Sequence, residues 1–478
     1  MTATQPSTRA RSLKRDTLSI AGSVAMCMAF MGPATSLAFN TSPAAAGAGF
    51  ALPLAIVLAL IACLLVANTI AAFARKLPTA GFAYTYNTHG FGPSGGFMSG
   101  WLLLLSYGMV GPMLLAAIGE FSSEFIQTQA HVHVPWVVLT ALFGGIVWGI
   151  NAIGVSESAR TAMIFLVIEV GVMMGLALTI LGKGGAQGLS LQAFNPAHSL
   201  NGIGGLGTGM LWGILMFIGF ESVATLGEEA RSARRTIPAA LFSAVLVIGL
   251  FYVITTYAAA SGYGASHAEA LAADSSPWTT LAQRYWGVTG ALMLTVLASQ
   301  FANFVAGSNS IVRVLYSMGR EGILPRALGR TSHRQIPHVA LGAYMLFGLG
   351  FVLLLSTKLD PLSIYGFCGT ILGLGMIIIY ILISLAVTRY YRTAHRAEFG
   401  LIQHAILPAI AAALMLLPVY GQLWPVPAWP NNLVPYVMLA WLIVGASYLV
   451  FLRARRPELV RAMGRVFEND PTPEKGTP

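Results

Sequence analysis

The sequence predicts an all-α integral membrane protein. It should have about 12 transmembrane helices, arranged as two inverted five-helix repeats with broken helices 1 and 6, plus two extra C-terminal helices. Three observations carry this prediction. The chain is 56% hydrophobic and 9% charged, where a soluble domain has about 25% charged residues. Twelve apolar stretches are long enough to span at about 20 residues each. Two of those stretches, the first and the sixth, are interrupted by helix-breaking residues at membrane depth.

The stretches fall at 18–38, 51–73, 97–125, 134–153, 160–182, 204–226, 237–261, 288–316, 338–356, 362–388, 402–421 and 433–453. Between them, basic residues alternate in density. Arg9, Arg11, Lys14 and Arg15 precede the first span, Arg231, Arg234 and Arg235 the seventh, and Arg320, Arg326, Arg330 and Arg334 follow the eighth. The opposite connections hold only Lys183, Arg284 and Lys358. Cytoplasmic loops collect Lys and Arg, so the pattern expects an integral protein of a bacterial-type cytoplasmic (inner) membrane with both termini cytoplasmic. The formal charge of +10 is then a topology signal and no nucleic acid is called for. The polar, basic start reads as a cytoplasmic tail, 1–17, before a retained helix and not as a signal peptide; residues 454–478 read as a second cytoplasmic tail. Cys27, Cys63 and Cys368 lie inside apolar runs without metal-ligand spacing and read as small hydrophobes.

The first interruption is AFMGPATS, 29–36. Pro33 lacks an amide hydrogen and clashes with the preceding turn, and Gly32 is conformationally permissive. Broken backbone is tolerable in a membrane only where it is buried in protein or lines a cavity, so Met31, Gly32, Pro33, Ala34 and Thr35 are candidate binding residues. The sixth span, GTGMLWGILMFIGFESVATLGEE, places Gly219 beside Glu221, an ionisable group at depth. Interrupted segments at matching positions in two halves point to inverted repeats with a site at their interface. The repeats would be 18–182 and 204–388, with 402–453 outside the core.

Two outer connections carry structure of their own. Ala268 to Tyr285 reads as a short helix across the outer mouth with a serine cap at Ser275 or Ser276. Trp424 to Pro435 reads as an interfacial turn with aromatic anchors.

Three blocks carry a family resemblance: RKLPTAGFAYTYNTHGFGP (75–93), FIGFESVATLGEEARSARRTIPAAL (217–241), and VRVLYSMGREGILPRALGR followed by IPHVAL (312–341). They resemble the amino acid/polyamine/organocation (APC) superfamily permeases, over roughly residues 15–455. The resemblance implies the inverted-repeat fold and alternating-access transport of amino acids or related amines, coupled to protons or run as exchange. It also implies that the first and sixth spans hold the substrate backbone. Amides around Met31 to Ala34 would sit at a half-helix N-terminus that favours a carboxylate, and carbonyls around Leu215, Met216 and Ile218 would accept from an ammonium. The usual Gly-Ser/Thr-Gly is replaced here by Gly32, Pro33 and Ala34, which removes one amide donor. On the third span Tyr107, Gly111 and Leu114 share a face and match the family's pocket positions. Phe217 and Phe220, flanking Gly219, are open to a gate role or to plain packing. Asn303 in the eighth span is a ligand contact or an interhelical hydrogen bond.

Glu169 lies mid-way along the fifth span, where some proton-coupled relatives carry a lysine. Three roles are open to it: proton carrier, structural acid, or ligand for a cation or amine. Glu221 is the second coupling candidate, whereas Glu120 and Glu124 sit near an outer helix end, where interfacial solvation suffices. Glu228, Glu229, Arg231, Arg234, Arg235, Arg313, Arg320 and Glu321 are candidates for ion pairs at the inner mouth.

The expected function is a secondary transporter of an amino acid with protons; an importer or exchanger of polyamines or other amines is the alternative. Its partners are then that substrate, protons and membrane lipid, with no cofactor and the oligomeric state open. The nine histidines lie mostly in loops with no nucleophile or metal constellation, so an enzyme is disfavoured. No glycine-lysine nucleotide signature supports ATP-driven transport.

Overall fold

A computed structural model describes residues 20–77, 81–153, 158–225, 232–333 and 335–462. The expected tail 1–17, most of 454–478, and Glu228, Glu229, Arg231 and Arg334 lie outside the described residues. The described residues form α-helices joined by short turns. Eleven helical stretches are long and apolar enough to cross a membrane, the first being Ile20–Lys76, 57 residues long. At 1.5 Å per residue that stretch would reach about 85 Å, far beyond a hydrocarbon core of about 30 Å. The 3-10 turn Gly49–Ala51 divides it into two helices, so the long helical segments described number twelve.

They are α1 (Ile20–Met31 and Pro33–Ala48), α2 (Leu52–Lys76), α3 (Pro93–Gly108 and Val110–Ala130), α4 (Trp136–Ile153), α5 (Ser158–Gly182) and α6 (Gly202–Phe217 and Ser222–Thr225). There follow α7 (Ala233–Tyr263), α8 (Gly290–Arg320), α9 (His338–Leu355), α10 (Pro361–Ala394), α11 (Leu407–Leu423, after a π turn at Ile402–Ile406) and α12 (Val434–Arg455). The apolar windows of α3, α6 and α10 are almost wholly or largely buried, while α4, α5, α9, α11 and α12 bury a third or less of theirs. The first group therefore forms the core around α1, and the second turns Leu, Ile and Val outward, as a lipid-facing ring requires. Close approach in that core rests on small residues: a Cβ on Gly207 would lie 2.4 Å from Leu417 O of α11, and one on Gly209 2.6 Å from Ala48 Cβ of α1. The three cysteines are free and buried.

Three local readings change. The first span was expected to end at 38, but α1 runs on to Ala48 through Asn40, Thr41 and Pro43. Those polar groups are satisfied inside the protein: Tyr365 OH donates to Asn40 Oδ1 at 2.8 Å, and Trp278 Nε1 donates to Thr41 Oγ1 at 3.0 Å. The connection after α7 holds two short helices, Ala268–Ala273 and Pro277–Trp286, and no serine side chain caps the second. Asp274 instead braces the turn ahead of it, its Oδ1 accepting from Ser276 N at 2.8 Å and its Oδ2 from Thr280 Oγ1 at 2.7 Å. The Ser276 hydroxyl donates to the Glu124 carboxylate, a charged acceptor that makes the stronger bond, and so does not turn to the helix amides. Of the stretch Trp424 to Pro435 only 424–430 is a turn, with Trp424 and Trp429 exposed, because a 3-10 turn at Asn431–Leu433 already leads into α12.

Candidate functional site

Both interruptions are where the residues placed them. In α1, Gly32 takes φ +55°, ψ +68° between the two halves. Only glycine fits, because a Cβ there would lie 2.2 Å from Asn303 Nδ2 and 2.9 Å from Asn303 Cβ. In α6, Ile218 leaves helical geometry and Gly219 adopts φ +118°.

The α1 break exposes amides at the start of a half-helix, and these are already engaged. Ala34 N–H donates to Glu169 Oε2 of α5 at 3.2 Å. Thr35 N–H and Thr35 Oγ1 each donate to Ser299 Oγ of α8 at 3.1 Å. The Ser299 hydroxyl lies beside the Glu169 carboxylate. Glu169 is 2% exposed, so a carboxylate from the protein stands at the positive end of the half-helix, where an anion is favoured.

The α6 break is organised by its own acid. Glu221 Oε2 accepts from Gly219 N–H at 3.1 Å and from Tyr380 OH of α10 at 2.9 Å, and Oε1 accepts from Tyr107 OH of α3 at 2.5 Å. Cys27 Sγ, on α1, donates to Phe220 O at 3.1 Å, and Tyr252 OH, on α7, donates to Met216 O at 3.1 Å. Four other helices, α1, α3, α7 and α10, thus converge on this segment of α6.

Between the breaks lies a small central cavity lined by Phe30, Met31, Thr35, Ser36, Asn40, Val110, Met113, Leu114, Leu215, Ile218, Asn303, Tyr365 and Leu372. Its volume is about 20 Å³, room for roughly one water and too little for an amino acid in this conformation. A larger pocket of about 80 Å³ opens at the end of the bundle bearing Glu120, Glu124, Ser276 and Trp278. Phe39 lines that pocket and Tyr365 the central cavity, and their rings stand 5.0 Å apart. With the Tyr365 to Asn40 bond they form the partition between the two spaces.

Of the residues singled out in the sequence, Met31, Thr35, Leu215, Ile218 and Asn303 line the cavity, as does Leu114. Gly32, Pro33, Ala34, Met216 and Gly219 shape its two backbone edges without lining it. Tyr107 directs its hydroxyl to Glu221 and its ring edge to Phe30, 5.8 Å away. Gly111 is a packing point, where a Cβ would meet Tyr344 at 3.1 Å. Phe217 packs on Tyr252 and Phe220 on Tyr380, so neither covers the cavity in this conformation. Ser36, Ser299, Asn40 and Tyr365 were missed. Ser299 stands one turn before Asn303 on α8, a spacing that signals a shared polar face.

At the opposite end, Lys76 Nζ pairs with Glu398 Oε1 at 2.7 Å, Tyr84 OH donates to Glu321, and the Arg320 guanidinium lies over the Tyr316 ring.

Residues 22–455 match the family model described as amino acid permease. The chain belongs to the amino acid permease family. The permease is a transporter and not an enzyme, and it is an integral membrane protein. It is 26% identical over 455 residues to the low-affinity putrescine importer PlaP of Escherichia coli strain K12, covering 91% of this chain and 93% of that one. It is 24% identical over 409 residues to the branched-chain amino acid permease BcaP of Lactococcus lactis subsp. cremoris, covering 80% and 84%. It is also 24% identical over 443 residues to a methylthioribose transporter of Bacillus subtilis, covering 87% and 88%. Three cargo types at one level of identity leave the substrate to the site itself.

Proposed function

We propose that this permease is a secondary active transporter that moves an amino acid across the cytoplasmic membrane by alternating access, coupled to protons through Glu169. The observation that carries the reading is the Glu169 carboxylate on the Ala34 amide at the α1 break. A carboxylate at that depth is costly unless it is paired or protonated, and its neighbours Ala34 N–H and Ser299 are neutral. When ionised, it makes a charge-assisted bond, roughly twice as strong as a neutral one, and joins α5 to the outer half of α1. Protonation weakens that tether and releases the half-helix end. A substrate carboxylate then competes for the same amide. Proton uptake, loosening of α1 and substrate binding are thereby one coupled event.

The central cavity supports a zwitterionic amino acid. Its polar lining consists of Thr35, Ser36, Asn40, Asn303 and Tyr365, all neutral, where a dication would want carboxylates. In this reading residues 18–182 and 204–388 are the inverted repeats with α1 and α6 as equivalent broken helices. Both termini are cytoplasmic, and the Glu120 end faces outward. Glu221 is kept in reserve as a second proton site. One observation favours an amine cargo instead: Glu120 and Glu124 line the first pocket a substrate meets from outside, beside Trp278.

Uptake into proteoliposomes under an imposed inward proton gradient tests both readings. The expected result is accumulation of a labelled α-amino acid, competed by the free acid and not by its methyl ester. Accumulation of diamines alone would establish the amine reading, and absence of both would overturn the proposal.

A further inference from the structure

Along α8 the residues Val296, Gln300, Asn303 and Gly307 stand at i, i+4, i+7 and i+11 and therefore share one face. Three of the four touch the substrate route. Val296 lines the pocket at the Glu120 end, and Asn303 lines the central cavity. A Cβ on Gly307 would meet Phe30 at 2.7 Å and Val110 at 3.1 Å, both walls of that cavity. Gln300 stands on the same face of α8, between Val296 and Asn303. It is 0% exposed, and neither Oε1 nor Nε2 has a hydrogen-bond partner. An unpaired buried polar group is costly, whereas Asn40, Thr41 and Thr35 of α1, which faces the same cavity, have partners. In this conformation a methionine would serve better. A side chain with two donors and an acceptor, set on α8 between a residue of one space and a residue of the other, is equipped to bond a polar group that moves between them.

We propose that Gln300 is a specificity-determining residue that hydrogen-bonds the polar end of the substrate's side chain, an inference that rests on the amino acid transport reading above. Asn303 abuts Gly32 at the α1 break, and Gln300 lies three residues farther along α8, about 4.5 Å of helix rise. A substrate whose main-chain groups are held at the breaks therefore presents its side-chain end to Gln300. The favoured class is an amino acid ending in a hydroxyl, carboxamide or ammonium. An apolar amino acid of the same length leaves the amide unpaired and is discriminated against on that ground.

The test is competition in proteoliposome uptake between matched pairs, asparagine against leucine and lysine against norleucine, for wild type, Gln300→Met and Gln300→Glu. Wild type should favour the polar member of at least one pair tenfold or more. Gln300→Met should reduce that preference at least tenfold while raising the melting midpoint of the ligand-free protein, and Gln300→Glu should shift preference toward lysine. Gln300→Met that keeps the wild-type preference, or that depresses both members of a pair equally, overturns the assignment. Should Gln300→Met fail to fold, an unshifted preference in Gln300→Glu overturns it equally. A wild-type preference for leucine and norleucine also overturns it and leaves the transport reading standing; failure of wild type to carry any amino acid sinks the transport reading itself.

Discussion

The two broken helices solve one problem in different ways. Each has a glycine at positive φ and a buried carboxylate accepting from a freed backbone amide. At the α1 break the acid comes from another helix: Glu169 reaches Ala34 across 135 residues of sequence, and that amide is its hydrogen-bond donor among the described residues. At the α6 break the acid is local: Glu221 caps Gly219 two residues away and is gripped by hydroxyls from α3 and α10. The first arrangement is a single tether between separate elements, and the second is a knot that ties its own segment in place. A single tether can be released by one proton, whereas the knot must lose three bonds together. In the proposed transport cycle Glu169 is therefore the switching group and Glu221 the holding one.

The contrast is broken most severely at the glycines. Gly32→Val adds αL strain of about 1–2 kcal/mol to a Cβ that overlaps Asn303. It should abolish uptake, read beside size-exclusion profiles that report folding; normal uptake would contradict the geometry of the break. Next comes Glu221→Leu, which strands Tyr107 OH, Tyr380 OH and Gly219 N–H at about 1–3 kcal/mol each. Thermal melts in detergent should show a large loss, with Glu221→Gln recovering most of it. Glu169→Gln should cost far less stability, about 1 kcal/mol for weakening one charge-assisted bond, so a larger melting loss than Glu221→Leu would reverse the assignment.

Smaller effects lie away from the breaks. Asp360 caps α10, its Oδ1 accepting from Ser363 N at 2.9 Å and its Oδ2 from Ser363 Oγ at 2.5 Å. Partial burial pushes its carboxyl up, but these bonds outweigh burial and hold it below the ordinary carboxylate value. Its contribution is therefore complete above the ordinary carboxylate range and is lost as pH falls through the depressed value. Asp360→Ala should cost about 1 kcal/mol near neutral pH, and melts at progressively lower pH should show that deficit shrinking. The exposed Lys76 to Glu398 pair should matter least, its loss in Glu398→Gln being hidden by moderate salt.

Much of this was legible because it is local. Gly32 with Pro33, and Gly219 beside Glu221, announce broken helices through backbone chemistry that needs no neighbour. The depth of Glu169 follows from its distance to either end of an apolar span. What it binds does not, since the Ala34 amide and the Ser299 hydroxyl meet it only after three helices pack. The same holds for α1 beyond residue 38. Asn40 and Thr41 look like the end of a span until Tyr365 and Trp278, more than 230 residues away in sequence, supply their hydrogen bonds. Pocket positions on α3 were read from a shared helical face, and packing divided them: Leu114 lines the cavity, Tyr107 serves Glu221, and Gly111 admits Tyr344.

The decisive measurement is amino acid accumulation driven by an inward proton gradient, compared in wild type, Glu169→Gln and Glu221→Gln at matched protein folding. Switching at Glu169 requires that Glu169→Gln lose gradient-driven accumulation while still exchanging substrate across the membrane, and that Glu221→Gln keep its response to the gradient. Full accumulation by Glu169→Gln, or loss of gradient response confined to Glu221→Gln, would contradict it.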